Sequence, residues 1–196
     1  MKQKPGWVLP DLKEAQKRTT NTIDRIDTFT IPEVARMMGR GKTYFISTYG
    51  CQANERDSET LAGILDELGF TPNETAEGSD VIIINTCAIR QNAEEKVLGE
   101  IGNFKRLYRE NKDLIIGVCG CMAQEEGLVE TLLTKYPQVR LLFGTHNIQE
   151  LPSMLYSCMF EGKKVVKIYS KEGEVYENLP VHRFGTFKAW VNIMYG

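Results

Sequence analysis

A chain of 196 residues, 42% hydrophobic and 26% charged, has the make-up of one ordinary soluble domain with extensions. Its formal net charge of −2 excludes the overall basic footprint of a nucleic-acid-binding domain. No apolar run approaches the roughly 20 residues of a membrane span, and the N-terminus lacks the apolar stretch of a signal peptide, so the expected compartment is the cytoplasm.

Residues 1–41 alternate charged and polar residues around Pro5, Pro10 and Pro32 and read as a polar N-terminal extension, with one short helix near Ile31 to Met38. Residues 1–42 hold nine Lys or Arg against five Asp or Glu, a mild local positive excess whose default reading is a solvated arm. From Thr43 the pattern changes. TYFIST is β-branched and aromatic, and predicts a strand; Leu61, Ile64, Leu65 and Leu68 then recur at helical spacing until Gly69 stops the helix.

The alternation repeats. Asp80 to Thr86 (DVIIINT) predicts a strand, followed by a helix with the apolar face Val97, Ile101, Phe104 and Tyr108. Leu114 to Val118 and Leu141 to Phe143 predict two more strands, Ile148 to Phe160 a helix, and Val165 to Ser170 a further strand. The central strands are continuous apolar runs, as strands covered on both faces are. The fold class is therefore α/β: an open, mainly parallel sheet with helices on both faces. After a polar turn at Gly173 and Pro180, KAWVNIM reads as a fresh strand, so residues 171–196 are expected to be a linker and the first strand of a further domain, and residues 42–170 one domain.

Five cysteines in a reducing compartment make a disulfide framework improbable, and an odd count cannot pair completely. Three of them stand at equivalent places. Cys51 follows TYFISTYG, Cys87 follows DVIIINT, and Cys119 with Cys121 follows LIIGV, at intervals of 36 and 34 residues from Cys51 to Cys87 to Cys121. Ligands of open parallel sheets bind at the carboxyl ends of the strands, where these three corners converge. A free cysteine is ordinarily a small buried hydrophobe, but three at successive strand ends point to a shared soft-metal site. An iron–sulfur cluster and zinc both remain open on the residues alone.

Cys121 is favoured over Cys119 as the third thiol because it lies further into the loop, after Gly120, which permits an unusual turn. Cys158 falls on the helix face of Ile148, Leu151 and Leu155 and reads as core. His146 is a possible polar neighbour of the site. Other readings are a thiol-redox domain, for which CGC at 119–121 is the nearest feature, and a flavodoxin-like nucleotide module, for which STYGCQANE lacks a glycine-rich phosphate loop.

The segments TYGCQANERDSE, NTCAIRQNAEEK and GVCGCMAQEEG, at these intervals, resemble the N-terminal domain of the radical-SAM methylthiotransferases over residues 42–196. The form NTCAIR is more similar to the branch acting on tRNA than to the one modifying a ribosomal protein. The resemblance implies that Cys51, Cys87 and Cys121 ligate an auxiliary [4Fe–4S] cluster whose open iron presents sulfur. It implies a parent transferase in which a second [4Fe–4S] cluster and S-adenosylmethionine generate a 5′-deoxyadenosyl radical. That radical takes hydrogen from carbon 2 of N6-isopentenyladenosine beside the anticodon, and the product is the 2-methylthio derivative. It implies, too, that the loop for the second cluster would follow Gly196. On that reading the present stretch holds no catalytic residue, is inactive alone and monomeric, and meets tRNA through other domains. The arm before Thr43 carries no motif of the family, and Ala53 stands where methionine is expected.

Overall fold

The computed structural model describes residues 7–8, 24–26, 28–87, 91–168, 174–185, 187 and 189–190. In chain order the elements are β1 (Trp7–Val8), β2 (Asp24–Ile26), β3 (Thr43–Tyr49), α1 (Gln52–Glu67), β4 (Thr71–Pro72), β5 (Val81–Thr86), α2 (Gln91–Glu110), β6 (Ile115–Gly120), α3 (Glu126–Lys135), β7 (Val139–Phe143), α4 (Leu151–Phe160), β8 (Lys164–Lys167) and β9 (Glu174–Tyr176). The main sheet has seven strands in the order β1-β8-β7-β6-β5-β3-β4, and every neighbouring pair is parallel. The α/β class expected from the sequence is the fold found. A separate parallel pair joins β2 to β9.

Alternation along the strands splits the core into two layers, because successive side chains leave a strand on opposite faces. Val81 and Ile83 of β5, with Ile115, Leu141 and Phe143, meet Leu61, Ile64 and Leu65 of α1 and Leu151 and Leu155 of α4. Ile82 and Ile84, with Ile116, Val118 and Leu142, meet Val97 and Ile101 of α2 and Val129 and Leu132 of α3. The four apolar residues 81–84 are all fully buried, each contributing about 1.5–3 kcal/mol relative to exposure. That is why the strand carries no polar alternation.

Helix α1 stops where the sequence places the stop. Gly69 has φ +86°, and the amides of Gly69 and Phe70 turn back to the carbonyls of Asp66 and Leu65, closing a left-handed cap that only glycine adopts without strain. Steps β6 to β7 and β7 to β8 move the same way across the sheet, yet α3 and α4 cover opposite faces. The two crossovers therefore have opposite hands, and β8 is joined through the rarer one.

Several expectations are corrected. The short helix near Ile31 to Met38 is a single 3₁₀ turn, Glu33–Ala35, and this end of the arm is not merely solvated: Ala35 and Met38 are buried in the α1 layer. The strand expected from Val165 to Ser170 starts at Lys164 and ends at Lys167. A 3₁₀ segment, Thr145–Glu150, precedes α4 where one continuous helix was expected. Helix α3 and strand β4 were not anticipated, although Leu128, Val129 and Leu132 carry the helical spacing of α3. Of KAWVNIM, Ala189 and Trp190 lie in no strand and the remaining residues fall outside those described. No helix among the described residues is long and apolar enough to cross a membrane.

Candidate metal centre

The chain runs from β3 through α1 to β4 on one side, then crosses to β5 on the other side of β3. The strand order reverses there, and the crevice beyond the carboxyl ends of β3 and β5 is the switch point where open α/β sheets take their ligands. Register fixes what stands at that edge. Tyr49 pairs with Thr86, and Thr86 with Gly120. Cys51 lies two residues beyond Tyr49, Cys87 directly follows Thr86, and Cys121 directly follows Gly120. Neighbouring strands are about 4.8 Å apart, so three adjacent strand ends deliver three thiols to one corner.

Cys51 is the N-cap of α1 and forms a capping box with Asn54: its side chain accepts from the Asn54 amide, while Asn54 Oδ1 accepts from the Cys51 amide at 3.2 Å. The thiol itself donates to Asn54 Oδ1 at 3.4 Å. Hydrogen bonding from the Asn54 amide, reinforced by the Ala53 amide and the Cys87 side chain, holds the Cys51 thiol below its ordinary range. Cys51 is exposed and Cys87 buried. Cys121 is exposed, yet partial burial pushes its thiol up, and Cys87, Cys51 and Asp57 push it further by charge repulsion. A thiol pushed up by the charge of its neighbours is one that a bound cation would stabilise as thiolate.

A buried amide network ties the three corners together. Asn54 Nδ2 donates to Asn85 Oδ1 at 3.0 Å and to the Thr86 carbonyl at 3.1 Å. Asn85 Nδ2 donates in return to the Asn54 carbonyl at 2.9 Å and to Ser58 Oγ at 3.0 Å. Thr86 Oγ1 donates to the Cys119 carbonyl at 3.0 Å. Asn54 and Asn85 are each 1% exposed, so these bonds form out of water and fix the loops relative to one another. Two glycines are sterically required. A Cβ on Gly50 would lie 2.3 Å from Asn54 Oδ1 and 2.8 Å from Cys87 Cβ, and one on Gly120 would lie 2.1 Å from the Thr86 carbonyl oxygen.

The structure thus brings Cys51, Cys87 and Cys121 to one edge. Cys119 stands behind them in the α1 layer, fully buried, its thiol pushed well up by burial and then by Asp57 and Cys121. Cys158 packs in the core beneath α4, where burial pushes its thiol up to about 11. His146 is exposed, near enough to Asp57 to lower that carboxyl, although burial raises it overall. Among the described residues, no group of three His, Cys, Asp or Glu is drawn together tightly enough to hold a single metal ion. Asn54, Asn85, Asp57 and Gly50 were missed in the sequence; the only signal was their place beside the cysteines in the first two motifs. Ala88 to Arg90, the end of NTCAIR, lie outside the described residues.

These environments order the thiols by reactivity. At neutral pH iodoacetamide is expected to label Cys51 about tenfold faster than Cys121, and to spare Cys119 and Cys158 while the chain is folded. A thiol held low stays ionised at lower pH, so the difference narrows as pH rises through the ordinary thiol range. Peptide mass spectrometry of timed reactions checks it; equal rates for Cys51 and Cys121 at neutral pH would contradict the cap geometry.

Residues 43–144, the segment carrying all three cysteine corners, match the family described as Uncharacterized protein family UPF0004. The chain belongs to this family. It is 54% identical over 187 residues to the tRNA-2-methylthio-N(6)-dimethylallyladenosine synthase of Staphylococcus saprophyticus, covering 95% of this chain and 36% of that protein. It is 53% identical, with the same coverage, to the enzyme of that name from Geobacillus thermodenitrificans. Against the one from Bacillus licheniformis it is 52% identical over 190 residues, or 97% of this chain and 37% of that protein. The likeness first read from three motifs extends over nearly the whole chain, which spans about a third of the length of these relatives.

Proposed function

We propose that this UPF0004 domain is the sulfur-donor part of a tRNA methylthiotransferase, and that Cys51, Cys87 and Cys121 hold its auxiliary [4Fe–4S] cluster. The observation that carries the reading is the convergence of three thiols on adjacent strand ends across the switch point. An all-thiol donor set without a ligating histidine suits iron–sulfur chemistry. When bound, a cluster on three thiolates leaves one iron open to a sulfur species destined for carbon 2 of N6-isopentenyladenosine.

The chain's own residues prepare that site. Cys51 enters as a readily ionised thiol because helix amides point at it. Asn54 and Asn85 keep the Cys51 and Cys87 corners at fixed separation, and Gly120 turns Cys121 toward them. Residues 42–170 form this donor domain, and the stretch from 171 leads to the radical domain. S-adenosylmethionine, the second cluster and most of the tRNA contact belong to the rest of the longer protein. A net charge of −2 leaves the chain few means of gripping phosphate.

Iron and sulfide analysis after anaerobic reconstitution tests the reading. The expected result is a brown chain absorbing broadly near 400 nm, with about four iron and four sulfide bound. A colourless chain holding one zinc, or one that takes up no iron and forms a Cys119–Cys121 disulfide, would replace it with the zinc or thiol-redox reading.

A further inference from the structure

Glu55, Glu59, Gly63 and Asp66 recur every three or four residues and so form one stripe along α1. Pro180 to Arg183, together with Trp190, lie on that stripe. At its far end His182 Nδ1 is 2.5 Å from Asp66 Oδ2, whose other oxygen accepts from Tyr44 at 3.0 Å. In the middle, the His182 amide donates to the Glu59 main-chain carbonyl at 2.9 Å, and Arg183 donates to the Glu59 carboxylate at 2.5 Å. That carboxylate side chain is only 6% exposed. At the near end the Trp190 indole N–H donates to Glu55 at 3.2 Å, and Arg183 reaches the Trp190 carbonyl at 3.3 Å. The Glu55 amide is itself bonded to the Cys51 carbonyl at 3.2 Å.

Gly63 makes the seat. Glycine inside a helix is less stable than alanine by about 1 kcal/mol, so its presence calls for a packing reason. A Cβ there would stand 2.5 Å from the Pro180 carbonyl carbon and oxygen and from the Val181 nitrogen. Without it, the crossing backbone settles against the helix and the His182 amide reaches a carbonyl that a side chain would screen. The contacts progress from Asp66 through Glu59 to Glu55, back along α1 toward its cysteine-capped end.

We propose that Pro180 to Arg183, with Trp190, form a docking strap that holds the polypeptide following Trp190 beside the cysteine edge, so that the remainder of the longer family members meets the site in one orientation. The docking is independent of what the cysteines hold; its use in sulfur transfer rests on the donor reading above.

Gly63→Ala separates the strap from the fold, since alanine strengthens the helix while its methyl group displaces the crossing backbone. In the 196-residue chain carrying Trp7→Phe, Trp190 gives the one indole N–H resonance. Gly63→Ala is expected to move that resonance to the free-indole position, speed exchange of the His182 amide about tenfold and speed tryptic cleavage after Arg183 to a similar degree. Protection of α1 amides and iron uptake should not change. Arg183→Ala, which alters no residue of the core, should release Trp190 and the His182 amide in the same way. If either variant leaves both signals in their wild-type state, the strap is refuted. Loss of iron uptake in Arg183→Ala would also refute it, because the segment would then be part of the thiol site. A wild-type chain that binds no iron overturns the donor reading and leaves these resonance and exchange readouts intact.

Discussion

Cys51→Ala, Cys87→Ala and Cys121→Ala each lower the iron retained after anaerobic reconstitution and desalting from about four per chain to below about one, whereas Cys158→Ala leaves it unchanged. The expectation follows from where the side chains stand. Cys51, Cys87 and Cys121 follow adjacent, register-matched strand ends, with Cys51 and Cys121 exposed and Cys87 buried. Cys158, near the end of α4, packs into the core with its thiol donating to the Arg140 carbonyl at 3.6 Å, at the beginning of β7 and not at the carboxyl edge. Cys119 is the informative control. It is as close in sequence to Cys121 as two residues allow, but its side chain faces the α1 layer with 1% exposure, and Cys119→Ala should keep the iron. Iron and sulfide assays with the absorbance near 400 nm read the result. Retention in Cys121→Ala together with loss in Cys119→Ala would move the third ligand to Cys119; loss in Cys158→Ala with retention in any of the three would end the shared-site reading.

Gly120→Ala is expected to destabilise the chain by about 3 kcal/mol or more and to abolish iron retention with all five cysteines present. Two effects add. The residue has φ +95° and ψ −173°, a backbone region that is essentially glycine's alone and costs an L side chain about 1–3 kcal/mol. Its Cβ would also lie 2.1 Å from the Thr86 carbonyl oxygen and 2.7 Å from Asn85 Oδ1, atoms locked in the amide network, so the relief must come from the backbone that carries Cys121. For a domain of this size 3 kcal/mol corresponds to a fall in Tm of roughly 6–12 °C, readable by circular dichroism. Gly117→Ala, three residues earlier on the same strand, meets only the Leu141 side chain at 3.3 Å or more and should shift Tm far less. Equal Tm losses for the two variants would show that the strand resents any side chain, and the special role of the Gly120 turn would fall.

What was legible in the sequence was whatever depends on local pattern. The run Val81 to Ile84 declares a strand buried on both faces, because a sheet covered by helices on each side leaves no place for alternating polar residues. Gly69 ends a helix because the cap needs positive φ, and Gly120 opens an unusual turn for the same reason. Cysteines that follow such strands are legible as a group, since parallel strands send their ends to one edge. The three motifs also mark the family, whose match spans residues 43–144.

Other features belong to the tertiary structure, because they depend on neighbours distant in the chain. Helix α3 has too short an apolar stripe to stand out until β7 and β6 supply the surface it covers. Asn54 and Asn85 are 31 residues apart, and nothing local marks them as partners; only the pairing of β3 with β5 puts their amides at 3.0 Å. The sequence favours Cys121 over Cys119 through the glycine between them, but only the structure shows the turn at Gly120 burying one and exposing the other. Gly63 reads as a flaw in a helix until the strand-free segment around Pro180 is seen lying across it, 117 residues later in the chain. The sequence by itself determined the central strands, the helix stop and the cysteine corners, through periodicity and backbone freedom that act within a few residues. Only the tertiary structure decided which polar groups hold those corners and which surface of α1 is covered, since both follow from contacts that exist only once the sheet has brought remote residues together.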